Sequence, residues 1–270
     1  MTIKNSDFSI RRIYPHIIEE RFINSQNQPF RIRGVDMNDG TSGYFILKPM
    51  GASRMYTGAA MKELIASLIA IEVGLNVPEP VIIEIDKNFV NLADNKETRE
   101  VLSNSIGLNF GSLYLKGLST WTEAGFLIKN LFSTIQKVFI FDVFIENTDR
   151  TKVKPNMLTD NEDIVILDHE LAFSFIDLLF YKNDTPWILT DNDKNLFRQH
   201  LFYDFLHGKE FVSDDFIDKF KLLDKQFWER VKYLIPSPLV VDKFDVIEKH
   251  LINRISNFDL FVKDLKRFLQ

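Results

Sequence analysis

The 270-residue sequence contains no cysteine. Disulfides, thiolate catalysis and cysteine-ligated zinc or iron–sulfur sites are therefore excluded, and the composition fits a cytoplasmic protein. Its five histidines, His16, His169, His200, His207 and His250, form no His-x-x-x-His pair, which leaves a zinc hydrolase without support. No uninterrupted apolar run approaches the ~18 residues that a membrane-spanning helix needs. The opening MTIKNSDFSIRRIYPH lacks the apolar centre of a signal peptide. No long basic stripe is present and the net charge is −5, so neither a membrane nor a nucleic acid is an expected partner. Internal repeats and low-complexity tracts are absent as well.

Apolar residues are plentiful, at 45%, and 25 of the residues are phenylalanine, so a large core packed through aromatic rings is expected. The chain length allows one large domain or two lobes. PFRIRGVDM and SGYFILKPM are apolar runs joined by NDGTSG, a hairpin pattern. TGAAMKELIASLIAIEVGLNVP has helical spacing at Leu64, Leu68 and Ile71, with Gly74 placed to cap it and Pro78 to block continuation. EPVIIEID reads as a strand from its β-branched run. GLNFGSLYLKGLST, with Gly107, Gly111 and Gly117, reads as a connector between lobes. From Thr122 the pattern turns helical through EAGFLIKNLFSTIQKVFIFDVFIE, and it returns to helix in DKNLFRQHLFYDFLHG, SDDFIDKFKLLDKQFWERVKYLIP and the C-terminal VVDKFDVIEKHLINRISNFDLFVKDLKRFLQ. Strands first and helices second define an α+β protein, with a small sheet-rich lobe (1–112) and a larger helical lobe (113–270).

Four polar residues sit at the ends of apolar elements. Lys48 closes YFILK, and Glu63 lies early in the following helix, fifteen residues on. Taken singly, each reads as a surface charge. As a pair they match a phosphoryl-transfer site, where a strand lysine contacts nucleotide phosphates and a helix glutamate holds it. In NTDRTKVKPNML, Asp149 offers an acceptor for a hydroxyl proton and Asn156 a neutral oxygen for a metal. Asn147, Thr148 and Asp149 are equally good turn and capping residues. Asp168 follows DIVIL, where a carboxylate beside an apolar run needs a partner, and Mg2+ prefers such oxygen ligands.

YFILK, KELIASLIAIEVGLNVPEP, GLNFGS, FDVFIENTDRT with PNML, and IVILDHELAF, in this order and spacing, resemble the HipA-like kinases, a branch of the protein-kinase-like fold. The resemblance spans roughly residues 22–175 and is most specific at NTDR and LDHELAF. It implies a bilobal kinase using ATP and Mg2+ and acting on a Ser or Thr hydroxyl, often on a protein. It also implies that Lys48 contacts the phosphates, that Glu63 orients Lys48, that Asp149 is the catalytic base and that Asp168 is the principal Mg2+ ligand. GSLYL, with Leu113 and Leu115, would form the linker whose backbone reads the adenine edge.

Two features depart from the kinase pattern. The position five residues after Asp149 is Lys154, and the asparagine that would bind metal, Asn156, comes two later. The loop expected over the phosphates, INSQNQPF, has no glycine, so the side chains of Ser25 and Gln26 would have to cover them. Both features also fit a pseudokinase, a nucleotide-binding regulatory module that transfers nothing. A lipid or small molecule is a third substrate class, disfavoured for phosphoinositides by the lack of a basic patch. His169 is expected to pack beneath the metal loop and bond a backbone carbonyl, while Arg150 could face the γ-phosphate or pair with an acid. The polar segment 177–195 lies where kinases carry an activation loop or where any exposed loop would lie, and Lys263, Lys266 and Arg267 form a small basic face.

Overall fold

Period-two burial builds the first half of the chain. The computed structural model describes residues 2–23, 25–122, 128–160, 162–177, 183–211 and 214–270. Strands β1 (Arg11–Arg21), β2 (Phe30–Asp36) and β3 (Ser42–Lys48) form successive antiparallel pairs, the second joined at the expected NDGTSG turn. Strands β4 (Pro80–Ile85) and β5 (Gly107–Leu113) complete a closed barrel of order β1-β2-β3-β5-β4. Closure comes from a short parallel pairing of β1 with β4, Arg11 opposite Val81 through Ile13 opposite Ile83. Ile13, Phe30, Ile32, Phe45, Leu47, Val81 and Ile83 share one buried cluster. Phe89 and Val90 of α2 (Lys87–Val90) and Leu102 of α3 (Lys96–Ser103) join it. Asp86 and Asn95 cap these two helices by accepting the Phe89 and Thr98 amides.

Helix α1 (Thr57–Val73) is buried on almost every side, which is why its sequence is apolar all round and not striped. It touches β4 and β5 on the barrel side, and α7 (Asp214–Lys219) and the 3-10 turns at 220–222 and 237–239 on the helical side. It stops at Gly74, whose φ of 79° is the left-handed value that glycine adopts most freely, and the Leu75 amide returns to the Ala70 carbonyl at 2.8 Å. Lys62 is buried in α1 and reaches Asp177 at 2.6 Å.

The expected connector is narrower in the structure. Residues 107–113 are the strand β5, which pairs with both β3 and β4, so only 114–118 link it to β6 (Ser119–Thr120). Gly111 is required there because a β-carbon would lie 2.8 Å from the Ile46 carbonyl oxygen and would overlap the Ile83 side chain. The β6 strand pairs with β7 (Met157–Thr159), and β7 with β8 (Ile164–Ile166). The helix expected from Thr122 is observed as α4 (Ile128–Phe144); the EAGFL that opens that pattern lies outside the described residues. Of the expected activation-loop segment, 178–182 also lie outside them.

The helical remainder comprises α5 (Asp191–Phe197), α6 (Tyr203–Leu206), α7, α8 (Lys225–Leu234), α9 (Phe244–Ser256) and α10 (Phe258–Leu269). The single helical pattern read across DKNLFRQHLFYDFLHG is two short helices, parted where His200 turns inward. Phenylalanine rings knit this half together. Phe144 has ring-centroid distances of 4.6 Å to Phe220 and 6.1 Å to both Phe258 and Phe261. Such pairs each add about 0.5–1.5 kcal/mol beyond area burial.

The first residues are tied across this core. Glu72 accepts the Ile3 amide at 2.7 Å and the Thr2 hydroxyl at 2.9 Å. Lys4 pairs with Asp224 at 2.8 Å, and the Arg230 guanidinium donates to the carbonyls of Ile3, Asn5, Ser6 and Phe8. Among the described residues no helix is long and apolar enough to cross a membrane.

Candidate active site

A cavity of about 450 Å³ lies where the barrel meets the β6–β8 sheet, within the ~300–1,000 Å³ typical of small-molecule sites. Ile46 and Lys48 of β3, Glu63 of α1, Phe110, Ser112 and Leu113 of β5, Ile166 of β8 and Leu167, Asp168 and His169 after it line it. Leu115 also lines it, so both linker leucines face this space. Ser25 contributes from the glycine-free loop; Gln26 is exposed and does not line the cavity.

Lys48, Glu63 and Asp168 meet at its inner wall. The Lys48 ammonium donates to Glu63 Oε1 and, at 2.7 Å, to Asp168 Oδ1. The reading of Lys48 and Glu63 as separate surface charges therefore does not apply: both side chains are largely buried. Burial opposes the charged ammonium, but the carboxylates of Asp168 and Glu63 outweigh it and hold the Lys48 pKa above its ordinary value. Burial pushes Glu63 up, against the pull of Lys48. For Asp168 burial also acts upward, and the Lys48 charge overrides it to hold the carboxyl below its ordinary value. Asp168 adopts φ 65°, a left-handed value uncommon outside glycine, so local strain accompanies its placement.

Asp149 and Asn156 form a second group. Asp149 accepts from Asn156 Nδ2 at 3.2 Å and from Lys154 Nζ at 3.4 Å, so both residues that compete for the metal position touch the same carboxylate. The amide nitrogen of Asn156 is thereby engaged. Neither Asp149 nor Asn156 lines the 450 Å³ cavity itself.

A buried ionic hub fixes the loop between these groups. Arg150 donates to Asp142 at 2.6 Å and also reaches the carbonyls of Pro155 and Asn156. Asp142 further accepts from Asn147 at 2.8 Å and lies 3.0 Å from His200 Nε2. Of the two roles open to Arg150, the structure gives it the acidic partner. Burial would raise the Asp142 pKa, but Arg150 and His200 hold it far below the usual carboxylate range. His169 packs edge-on against Phe141, and its backbone N–H donates to Glu63 at 3.0 Å. Its ring lies 3.4 Å from the Arg150 guanidinium, which takes the place of the backbone carbonyl expected as its partner. Burial, followed by the Arg150 charge, pulls the His169 pKa down to about 3, so the ring is neutral.

Two residues of this region escaped the sequence reading. Asn27 is buried, lines the cavity and donates through Nδ2 to Glu170 Oε2. Glu170 offers an oxygen within 4.8 Å of oxygens from Glu63 and Asp168. Burial, then the Asp168 charge, pushes the Glu170 carboxyl up to about 7. An acid two residues beyond Asp168 was a usable signal for Glu170. Nothing in INSQNQPF singles out Asn27, whose inward placement accompanies a left-handed Gln28 (φ 41°).

A family model described as HipA-like kinase matches residues 16–222. The chain belongs to the HipA-like kinase family. No curated protein matches the sequence. Among solved structures, the Helicobacter pylori proinflammatory kinase CtkA is similar at a TM-score of 0.51 and 15% identity, covering 97% of this chain and 100% of that one. At that identity the likeness speaks to the fold, and it supports a kinase-like fold for this HipA-like kinase.

Proposed function

We propose that the chain is an ATP- and Mg2+-dependent kinase that transfers the γ-phosphoryl group to a Ser or Thr hydroxyl of a protein. The observation that carries this reading is the meeting of Lys48, Glu63 and Asp168 at one cavity wall, drawn from three distant parts of the sequence. In this reading residues 1–112 form the small lobe and 113–270 the large one, with the cavity between them.

The donor set fits the cofactors. Asp168 presents a carboxylate and Asn156 an amide oxygen, the hard ligands Mg2+ takes. Lys48 would bind phosphate oxygens once a nucleotide shares its ammonium with Asp168, and Glu63 would keep it aimed. Leu113 and Leu115 would flank the base. The amides of Leu113 and Tyr114 already donate to Glu79 and Tyr44, so adenine would be read by carbonyl oxygens and by the Leu115 amide. Ser25 would cover the phosphates from the loop side. Bound Mg2+ would supply charge neutralisation on the transferring phosphoryl group. Asp149 would orient the acceptor hydroxyl and take its proton, held in place by Asn156 and by the Arg150 hub. In this reading the enzyme works in the cytoplasm, where ATP is available.

A second reading rests on Lys154. Its ammonium contacts the carboxylate that would act as base, as expected of a pseudokinase that retains nucleotide without transfer. Two measurements separate the readings: thermal stability with and without ATP and Mg2+, and labelled phosphate transfer to itself or to a protein mixture. Stabilisation plus transfer that disappears in Asp168→Asn supports the kinase. Stabilisation without transfer supports the module, and no response to nucleotide removes both.

A further inference from the structure

The basic face of Lys263, Lys266 and Arg267 has no part in the proposed reaction. It borders a second cavity, of about 610 Å³, between α10 and the segment that precedes α5. Trp187 and Ile188 line that cavity from the segment, and Leu260 lines it from α10. The segment is pinned on both sides of the Trp187–Ile188 pair. The Pro186 carbonyl accepts from buried Arg254 at 2.6 Å, and the Leu189 amide donates to buried Asp264 at 2.9 Å. Ile188 nevertheless stays 44% exposed and Leu260 51%, and Trp187 is only half-buried. Apolar side chains held in water around one depression favour a partner that covers them.

Charge selects the partner. Asp264 is engaged within the protein, accepting the Leu189 amide and pairing with Arg267 at 2.5 Å. Lys263 and Lys266 enter no ion pair among the described residues, and Lys266 rests over the Phe211 ring at 5.0 Å. Asp259, also on the rim, precedes Lys263 by one turn without pairing to it. Two ammonium groups thus stand against one free side-chain carboxylate, in a chain whose net charge is −5. Along α10, Lys263 and Lys266 follow Leu260 by about 5 and 9 Å. An extended chain covers those distances in about one to three residues. The fitting partner is a peptide segment that carries an apolar residue and an Asp or Glu within about three positions of each other.

We propose that this cavity docks an acidic, apolar-anchored segment of the protein that accepts the phosphoryl group, away from the acceptor hydroxyl itself. A buried guanidinium links the two places. Arg254, which holds Pro186, also donates to the Phe144 carbonyl and to Glu146, three residues before Asp149. Docking follows from the surface of the cavity; the identity of the docked protein as phosphate acceptor rests on the kinase reading.

The test titrates the full chain with a synthetic peptide in which leucines stand three positions from glutamates, and with the same peptide carrying lysine for glutamate. Trp121 and Trp228 are buried, so tryptophan emission reports on Trp187. The glutamate peptide should give a saturable blue shift that Trp187→Phe abolishes, and the lysine peptide should give none. Leu260→Asp and the double variant Lys263→Glu, Lys266→Glu should each bind the glutamate peptide roughly tenfold more weakly or worse. Leu260 and Lys263 are exposed, so these variants should keep the wild-type melting temperature. A serine joined to the glutamate peptide should be phosphorylated with a lower KM and an unchanged kcat, an advantage both variants lose. No saturable shift, equal binding of the two peptides, or full affinity in both variants overturns the docking site. A shift that follows protein concentration or phosphatidylserine vesicles, and not the peptide, gives the cavity to a second copy or a membrane and overturns it too. Peptide binding that leaves the KM of the joined serine unchanged overturns the acceptor role. A chain that transfers no phosphate at all overturns the kinase reading, while the emission shift still decides the docking site.

Discussion

Lys48 Nζ lies 2.7 Å from Asp168 Oδ1 although 120 residues separate them in the chain. That contact links the barrel to the loop after β8, and Glu63 completes it from α1. Lys48→Met would leave Glu63, 2% exposed at its side chain, as a buried charge without its cation. Breaking such a pair costs about 3–5 kcal/mol. Urea unfolding should show that loss, and adding Glu63→Gln to Lys48→Met should recover part of it. Equal stability in wild type and Lys48→Met would mean that the pair carries no energetic weight.

Asp149→Ala should lower turnover by roughly 10²–10⁴ if the residue is a general base, while ATP and Mg2+ still raise the melting temperature. Lys154→Ala should behave oppositely. The contact it removes is long and partly solvated, a class worth about 0–1 kcal/mol, and its loss frees an Asp149 oxygen. Turnover at least equal to wild type is expected. A large drop would make Lys154 part of the machinery.

Acid should weaken the fold earlier than carboxylate titration alone would. Burial holds the His200 pKa below its ordinary value, with Arg150 adding to that and Asp142 opposing it. The unfolded chain therefore takes up a proton near pH 6.5 that the folded chain refuses. Stability falls as pH drops below that value. Asp142 acts in the same direction at lower pH: its folded pKa is depressed, so its contribution is complete above about pH 4 and is lost on further acidification. Glu170, whose folded carboxyl is pushed up to about 7, acts in the opposite direction over part of this range, so the His200 contribution is read as the difference between wild type and His200→Asn. The decline between 6.5 and 4 should be shallower in His200→Asn than in wild type. An identical pH dependence in the two proteins would contradict this.

Gly111→Ala should destabilise the protein by about 1–3 kcal/mol, the usual range for overpacking, because the added carbon meets a backbone oxygen that cannot rotate away. Calorimetry on this variant and on Gly40→Ala, where nothing lies within 4 Å, separates steric crowding at β5 from the strain of a left-handed glycine.

Periodicity made the strands β2, β3 and β4 and the helix α1 legible, since each has a one-sided or fully apolar pattern that only one element type accommodates. It did not reveal β1, whose register shifts near Pro15 and Ile18 break the alternation. Nor did it reveal β5, whose glycines look like a linker although the barrel needs Gly111 for close packing. At the site, residues at element ends could be read because the element fixes where they point. Lys48 and Asp168 are of this kind. Asn27 sits in a loop, where direction depends on a single left-handed residue. The Asp142 hub was missed because its members, Asp142, Arg150 and His200, are brought together by tertiary packing alone.

The Arg230 clasp on the first residues bears on how firmly the two halves are joined. Arg230 grips four carbonyls of the N-terminal segment, Glu72 anchors that segment to α1, and Lys62 fastens α1 to Asp177. The N-terminal segment and α1 are thus stitched to the helical half on several sides. Any parting of the N-terminal segment or of α1 from the helical half would have to give up these bonds together.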